Sequence, residues 1–133
     1  MKIEIKEKVN YWLDSAKDDI ESAKIMYNGK KYLYTGFMLH QCVEKALKAY
    51  YIYKKEEQHP YTHNLEKLAV VSEINLIMTA EQLKLLADLT PIYIDSRYED
   101  YKNNLKSVLT EEYCLKLIGE TEALYSWIET LII

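Results

Sequence analysis

Leu39-His40-Gln41-Cys42-Val43-Glu44-Lys45-Ala46-Leu47-Lys48-Ala49-Tyr50 is the stretch that decides the fold. Leu39, Val43, Ala46, Tyr50 and then Tyr53 return at steps of four and three, the spacing that aligns side chains along one side of an α-helix. A helix is expected from about Lys31 to Lys55, with this seam packed against other helices. At roughly 100° per residue, Tyr34, Phe37, Gln41, Glu44, Lys45, Lys48 and Ile52 fall on the other face. That face mixes aromatic, acidic, basic and apolar groups, a combination seldom left to solvent alone.

Upstream, Val9, Trp12, Ala16, Ile20, Ala23 and Tyr27 repeat at helical steps from about Glu7 to Asn28, with Lys17, Asp18, Glu21 and Lys24 opposite. Asn28-Gly29 tolerates left-handed geometry and is expected to end this helix. Downstream, Glu56 to His63 reads as a polar connection, and Leu65, Leu68, Ala69 and Ser72 outline a short third helix. Thr79-Ala80-Glu81-Gln82 has the form of a capping box, opening a fourth helix with a Leu83, Leu86, Leu89 stripe. Pro91 is expected to kink or end it. Asp95 to Leu109 reads as polar and partly irregular. Thr110 followed by Glu111 and Glu112 starts a last helix, whose buried side is Cys114, Leu117, Ile118, Thr121, Leu124, Tyr125, Ile128 and Leu131. The expected architecture is all-α: a single domain over residues 1–133, an antiparallel up-and-down bundle of four main helices plus a short helix.

Composition agrees. The chain has 133 residues, 49% of them apolar, with only three Gly and two Pro, so long elements are favoured over many short ones. A net charge of −4 argues against broad attraction to nucleic acid and leaves room only for a local basic patch. No run reaches membrane-span length, and the start Met1-Lys2-Ile3-Glu4-Ile5-Lys6 alternates charge, unlike a signal peptide, so a cytoplasmic protein is expected. Cys42 and Cys114 sit in helical apolar patterns and read as buried free thiols. With His40, His59 and His63 they form no zinc spacing, so no metal and no cofactor are expected. The thirteen tyrosines mostly keep core spacing and read as packing.

Several segments together resemble the HEPN family, a large group of prokaryotic helical-bundle proteins. They are Trp12-x3-Ala16-x2-Asp19-x3-Ala23, Gln41 through Ala49, His63-Asn64-Leu65, and Leu89-x3-Tyr93-x3-Arg97-Tyr98, in this order over nearly the whole chain. The resemblance implies a homodimer that brings two Arg-Tyr segments together across a cleft. It also implies a neighbouring minimal nucleotidyltransferase, with which such proteins form toxin–antitoxin pairs. Catalytic members are metal-independent ribonucleases with an Arg-x4–6-His motif. The arginine would hold the scissile phosphate and the histidine would move the 2′-hydroxyl proton.

Here the motif is broken. Arg97 is the only arginine, Lys102 stands five residues on, and no histidine follows. Lysine, with an unperturbed pKa near ~10.4, would need a depression of roughly three units to act as a base. In family pairs that work by tyrosine adenylylation the modified tyrosine lies two places beyond the motif histidine. That position is Asn104 here, and neither Tyr98 nor Tyr101 matches it.

Arg97 and Tyr98 would clamp a phosphate, nucleotide or RNA at the dimer cleft; the plainer alternative pairs Arg97 with Asp95, Glu99 or Asp100. Lys45 and Lys48 would add positive charge there with Arg97 and Lys102, unless Lys48 only forms a surface pair with Glu44 at i, i+4. Tyr34, Phe37, Gln41 and Glu44 are expected to contact the second subunit. His63 either acts in catalysis from a distance or bonds locally at the helix start. The leading expectation is a non-catalytic or weakly catalytic interaction protein partnered with a nucleotidyltransferase. The alternatives are a divergent ribonuclease using Arg97, Tyr98, Lys102 or His63, and a nucleotide-binding module built on Lys45, Lys48, Arg97 and Tyr98.

Overall fold

The computed structural model describes residues 2–95 and 99–132. Among them are six α-helices, one short 3-10 turn and no strand. The helices are α1 (Ile3–Asn28), α2 (Tyr32–Lys55), α3 (Leu65–Val71), α4 (Ala80–Asp95), α5 (Glu99–Val108) and α6 (Glu111–Leu131), with the 3-10 turn at Ile74–Ile77 between α3 and α4.

α2 is the middle of the bundle and packs against α1, α3, α4, α5 and α6. Its apolar seam explains this: Leu39, Cys42, Val43, Ala46, Leu47 and Ala49 are all buried. α1 brings Val9, Leu13, Ala16, Ile20 and Ala23 to it, and α6 brings Leu117, Ile118, Leu124 and Ile128. Deep in this core the Tyr125 hydroxyl donates to the Leu13 carbonyl at 3.1 Å, tying α6 to α1. Burial, then the nearby Glu129 carboxylate, push its phenol up to about 12. Both cysteines are buried free thiols; burial raises Cys42 well above the usual thiol range and Cys114 to about 11.

The turn from α1 to α2 differs from the sequence expectation. Gly29 is not the left-handed residue: its φ is −84°, and Lys30 takes φ 61°. The Lys30 and Lys31 N–H groups bond back to the Tyr27 and Met26 carbonyls, the paired closure of a Schellman motif, one residue later than glycine would place it.

The capping box forms as read. Thr79 N–H donates to Gln82 Oε1 at 2.9 Å, and Gln82 N–H donates to Thr79 Oγ1 at 3.1 Å. The stripe it introduces is shifted, however: Leu85, Leu86, Leu89 and Ile92 are buried, whereas Leu83 is exposed. α4 also runs through Pro91 to Asp95, because Pro91 and Ala87, whose carbonyl loses its partner, both lie on the exposed side where water serves. Residues 99–108, within the segment expected to be polar and partly irregular, are helical; Leu105 and Leu109 anchor this polar segment to the core. Gly36 makes room for that anchor, since a Cβ there would stand 3.0 Å from Leu109 Cδ1.

Candidate functional site

The mixed face of α2 turns inward against the connection that precedes α3 and the end of α4. Glu44 is 3% exposed and Lys48 6% exposed, so neither belongs to a solvated face. Lys48 Nζ donates to Glu44 Oε2 at 2.8 Å. The same ammonium lies 5.5 Å from the centre of the Trp12 ring, which gives its other side a cation–π contact. The expected i, i+4 pair therefore exists, but inside the fold.

The second carboxylate oxygen faces a histidine from another segment. His63 Nδ1 donates to Glu44 Oε1 at 2.8 Å, although its side chain remains half exposed. The local role expected of His63 falls to its neighbour: Asn64 caps α3 by accepting from the Lys67 N–H. His63 is a long-range partner of α2, held by a bond that no local spacing reveals.

His40 completes the cluster. It is fully buried, and its Nε2 donates to the His63 carbonyl at 3.0 Å, which fixes the tautomer because a carbonyl can only accept. Its Nδ1 lies 3.9 Å from Glu44 Oε1, without a hydrogen bond. Burial lowers its pKa to about 4, against the opposing pull of Glu44. His40 is therefore neutral at pH 7. Over these groups lies Tyr93 of α4, stacked on His63 at 4.0 Å, His40 at 5.3 Å and Phe37 at 6.0 Å between ring centres.

Lys45 is drawn to the opposite side. It meets Asp19 Oδ2 of α1 at 2.9 Å and donates to Ser15 Oγ at 2.8 Å. Asp19 has a raised pKa because burial outweighs the stabilisation from Lys45. Gln41 and Phe37 are part-buried, and Tyr34 is half exposed near the start of α2. Arg97 and Tyr98 lie outside the described residues, and so does the side chain of Lys102, whose backbone belongs to α5.

The structure thus joins Glu44, Lys48, His63 and Phe37 with His40, Trp12 and Tyr93, to which the sequence assigned no role at this site. The signals available were the i, i+4 spacing of His40 to Glu44 and the presence of Trp12 and Tyr93 in the segments that resemble the family. Among the described residues no cluster of His, Cys, Asp or Glu is placed to hold a metal ion. None of the described helices is long and apolar enough to cross a membrane.

The model of the HEPN domain matches residues 9–131. The chain belongs to the HEPN family. As a HEPN domain it is similar in fold to TT1696 from Thermus thermophilus, a crystal structure with a TM-score of 0.78 and 17% sequence identity. The superposition covers 92% of this chain and 97% of that one. Among curated proteins no sequence matches this HEPN chain.

Proposed function

We propose that this HEPN domain is an interaction protein, a homodimer that pairs with a minimal nucleotidyltransferase in a toxin–antitoxin or related defence system and does not itself cleave RNA. The observation that carries this reading is the internal neutralisation of the two lysines on the mixed face of α2. Lys48 is matched to Glu44 and Lys45 to Asp19. A phosphate arriving there would compete with carboxylates already in place, and Lys48 would leave a buried anion behind on leaving Glu44. Lys102, where catalytic relatives carry histidine, supports the same reading. Exposed Val70, Leu76 and Ile77, on α3 and the 3-10 turn, supply apolar surface of the kind that partners cover.

The test is co-expression with a minimal nucleotidyltransferase encoded beside the gene, read by light scattering, together with a metal-free RNA cleavage assay. A stable complex without cleavage by the HEPN protein is expected. Cleavage that disappears in His63→Ala would overturn the non-catalytic part.

One observation favours a second reading, the metal-independent ribonuclease. With Nδ1–H given to Glu44, a His63 ring in its neutral form offers Nε2 as an acceptor from a half-exposed position. A carboxylate that orients an imidazole in this way is a recurring arrangement for general acid–base work. In that reading His63 takes the proton of a 2′-hydroxyl, and Lys102 has no catalytic part.

A further inference from the structure

Three cations without carboxylate partners gather at a separate place. At the α1–α2 turn and the end of α5, Lys30, Lys31 and Lys106 surround an open cavity of about 420 Å3, with Tyr32, Tyr34 and Leu109 in its wall. Among the described residues none of these three lysines forms an ion pair. Two other clefts are different. One of about 260 Å3 sets Lys17 and Lys24 among Glu21, Glu122 and Glu129, with Lys24 bonded to Glu122 at 2.7 Å. Another of about 160 Å3 carries Glu81 and Glu120 and no cation.

We infer that the cavity between Lys30, Lys31 and Lys106 is a phosphate-binding site that takes a nucleotide or the backbone of a single RNA strand. Three ammonium groups around one concavity repel each other, and a multiply charged anion relieves that repulsion. Such a concentration is notable in a chain of net charge −4. The volume falls in the range of small-ligand pockets, roughly 300–1,000 Å3. Tyr34, half exposed, offers a ring on which a base can stack. Tyr32 adds a phenol that stays protonated: partial burial, then the Glu111 carboxylate beside it, raise its pKa. Among the described residues no acid lines this cavity, and Glu111 lies beside Tyr32.

Lys30 adds a second line. It holds the left-handed position of the turn, with φ 61°, directly after a glycine that would occupy that conformation at lower cost. Of the described non-glycine residues with positive φ, Lys30, Glu56 and Glu73, Lys30 is the one that lines this cavity. The site is separate from the Glu44 cluster, and its occupancy does not require a nucleotidyltransferase partner.

The experiment measures binding of three probes at low salt to the full chain: inorganic pyrophosphate, a nucleoside triphosphate, and a short fluorescein-labelled single-stranded RNA. The variants are Lys30→Gly and Lys106→Ala, with the exposed Lys67→Ala as control. Wild type and Lys67→Ala are expected to bind alike. Lys106→Ala should bind several-fold more weakly, with the RNA salt slope reduced by roughly 0.7 for the lost phosphate contact. Lys30→Gly should melt at a higher temperature than wild type and yet bind more weakly, a combination that a purely structural lysine would not give. Tight binding of the triphosphate alone identifies a nucleotide site, and tight binding of RNA alone a strand site; either upholds the inference. No binding of any probe to wild type, or equal weakening in Lys67→Ala and Lys106→Ala, overturns it.

Discussion

His63 Nδ1 stands 2.8 Å from Glu44 Oε1 across nineteen positions of sequence, so the start of α3 is pinned to the middle of α2 through a single buried carboxylate. That carboxylate also receives Lys48, which makes it the point on which the polar cluster depends.

Glu44→Leu should therefore be among the most damaging substitutions, because it leaves the Lys48 ammonium buried without its anion. A loss of about 3–5 kcal/mol is expected from breaking a buried pair on one side only. The double variant Glu44→Leu with Lys48→Met should recover much of that loss, since both charges leave together. Urea denaturation of the two variants beside wild type checks the pattern; equal destabilisation by single and double variants would count against it.

His40 makes stability depend on pH. Its folded pKa of about 4 lies below the unfolded value of 6.5, so the unfolded chain binds the proton more readily. The contribution is fully present above the unfolded value and is lost as pH falls toward the folded one. Between about pH 7 and about pH 5 the loss should be roughly 2 kcal/mol, from the size of this separation. His40→Asn should lack that increment, which appears as the difference between its unfolding curve and that of wild type at the two pH values.

Two glycines should respond oppositely. Around Gly119 of α6 an added Cβ meets nothing within 4 Å, so Gly119→Ala should stabilise by about 0.5–1 kcal/mol through helix propensity alone. At Gly36 an added Cβ would stand 3.0 Å from Leu109 Cδ1 and 3.5 Å from Ile92 Cδ1. Gly36→Val should cost about 1–3 kcal/mol by overpacking. Thermal melts of both variants give the signs directly.

Loss of the Thr79 hydroxyl in Thr79→Ala removes one half of the reciprocal cap on α4 and should cost about 1 kcal/mol. Hydrogen exchange should accelerate first in the opening turn of α4, with the amides of α2 unaffected.

The parts legible in the sequence were those governed by short periods. The α1, α2 and α6 stripes and the capping box depend on residues three or four apart, and the buried side chains of α6 match their reading from Cys114 to Ile128. α5 escaped notice because Glu99 through Asn104 bring no apolar residue at helical spacing except Tyr101, and the segment is held through Leu105 and Leu109. The left-handed residue fell on Lys30 because α1 retains one more carbonyl-bonded N–H, that of Gly29. The polar cluster was half legible. Glu44, Lys48 and His63 stood out as residue types, and the Glu44–Lys48 spacing was readable, but the His63 bond ties α2 to the connection before α3 and Tyr93 stacks on His63 from α4, contacts that no local rule carries.

α2 carries the buried seam of the bundle on one side and Glu44, Lys48 and His40 on the other. The polar cluster consequently has no hinge of its own. Any molecule that pulled Glu44 away from Lys48 would have to disturb the same rod that holds the remaining helices together, so an event at this cluster would be felt as loosening or tightening of the whole protein rather than as the movement of a local flap.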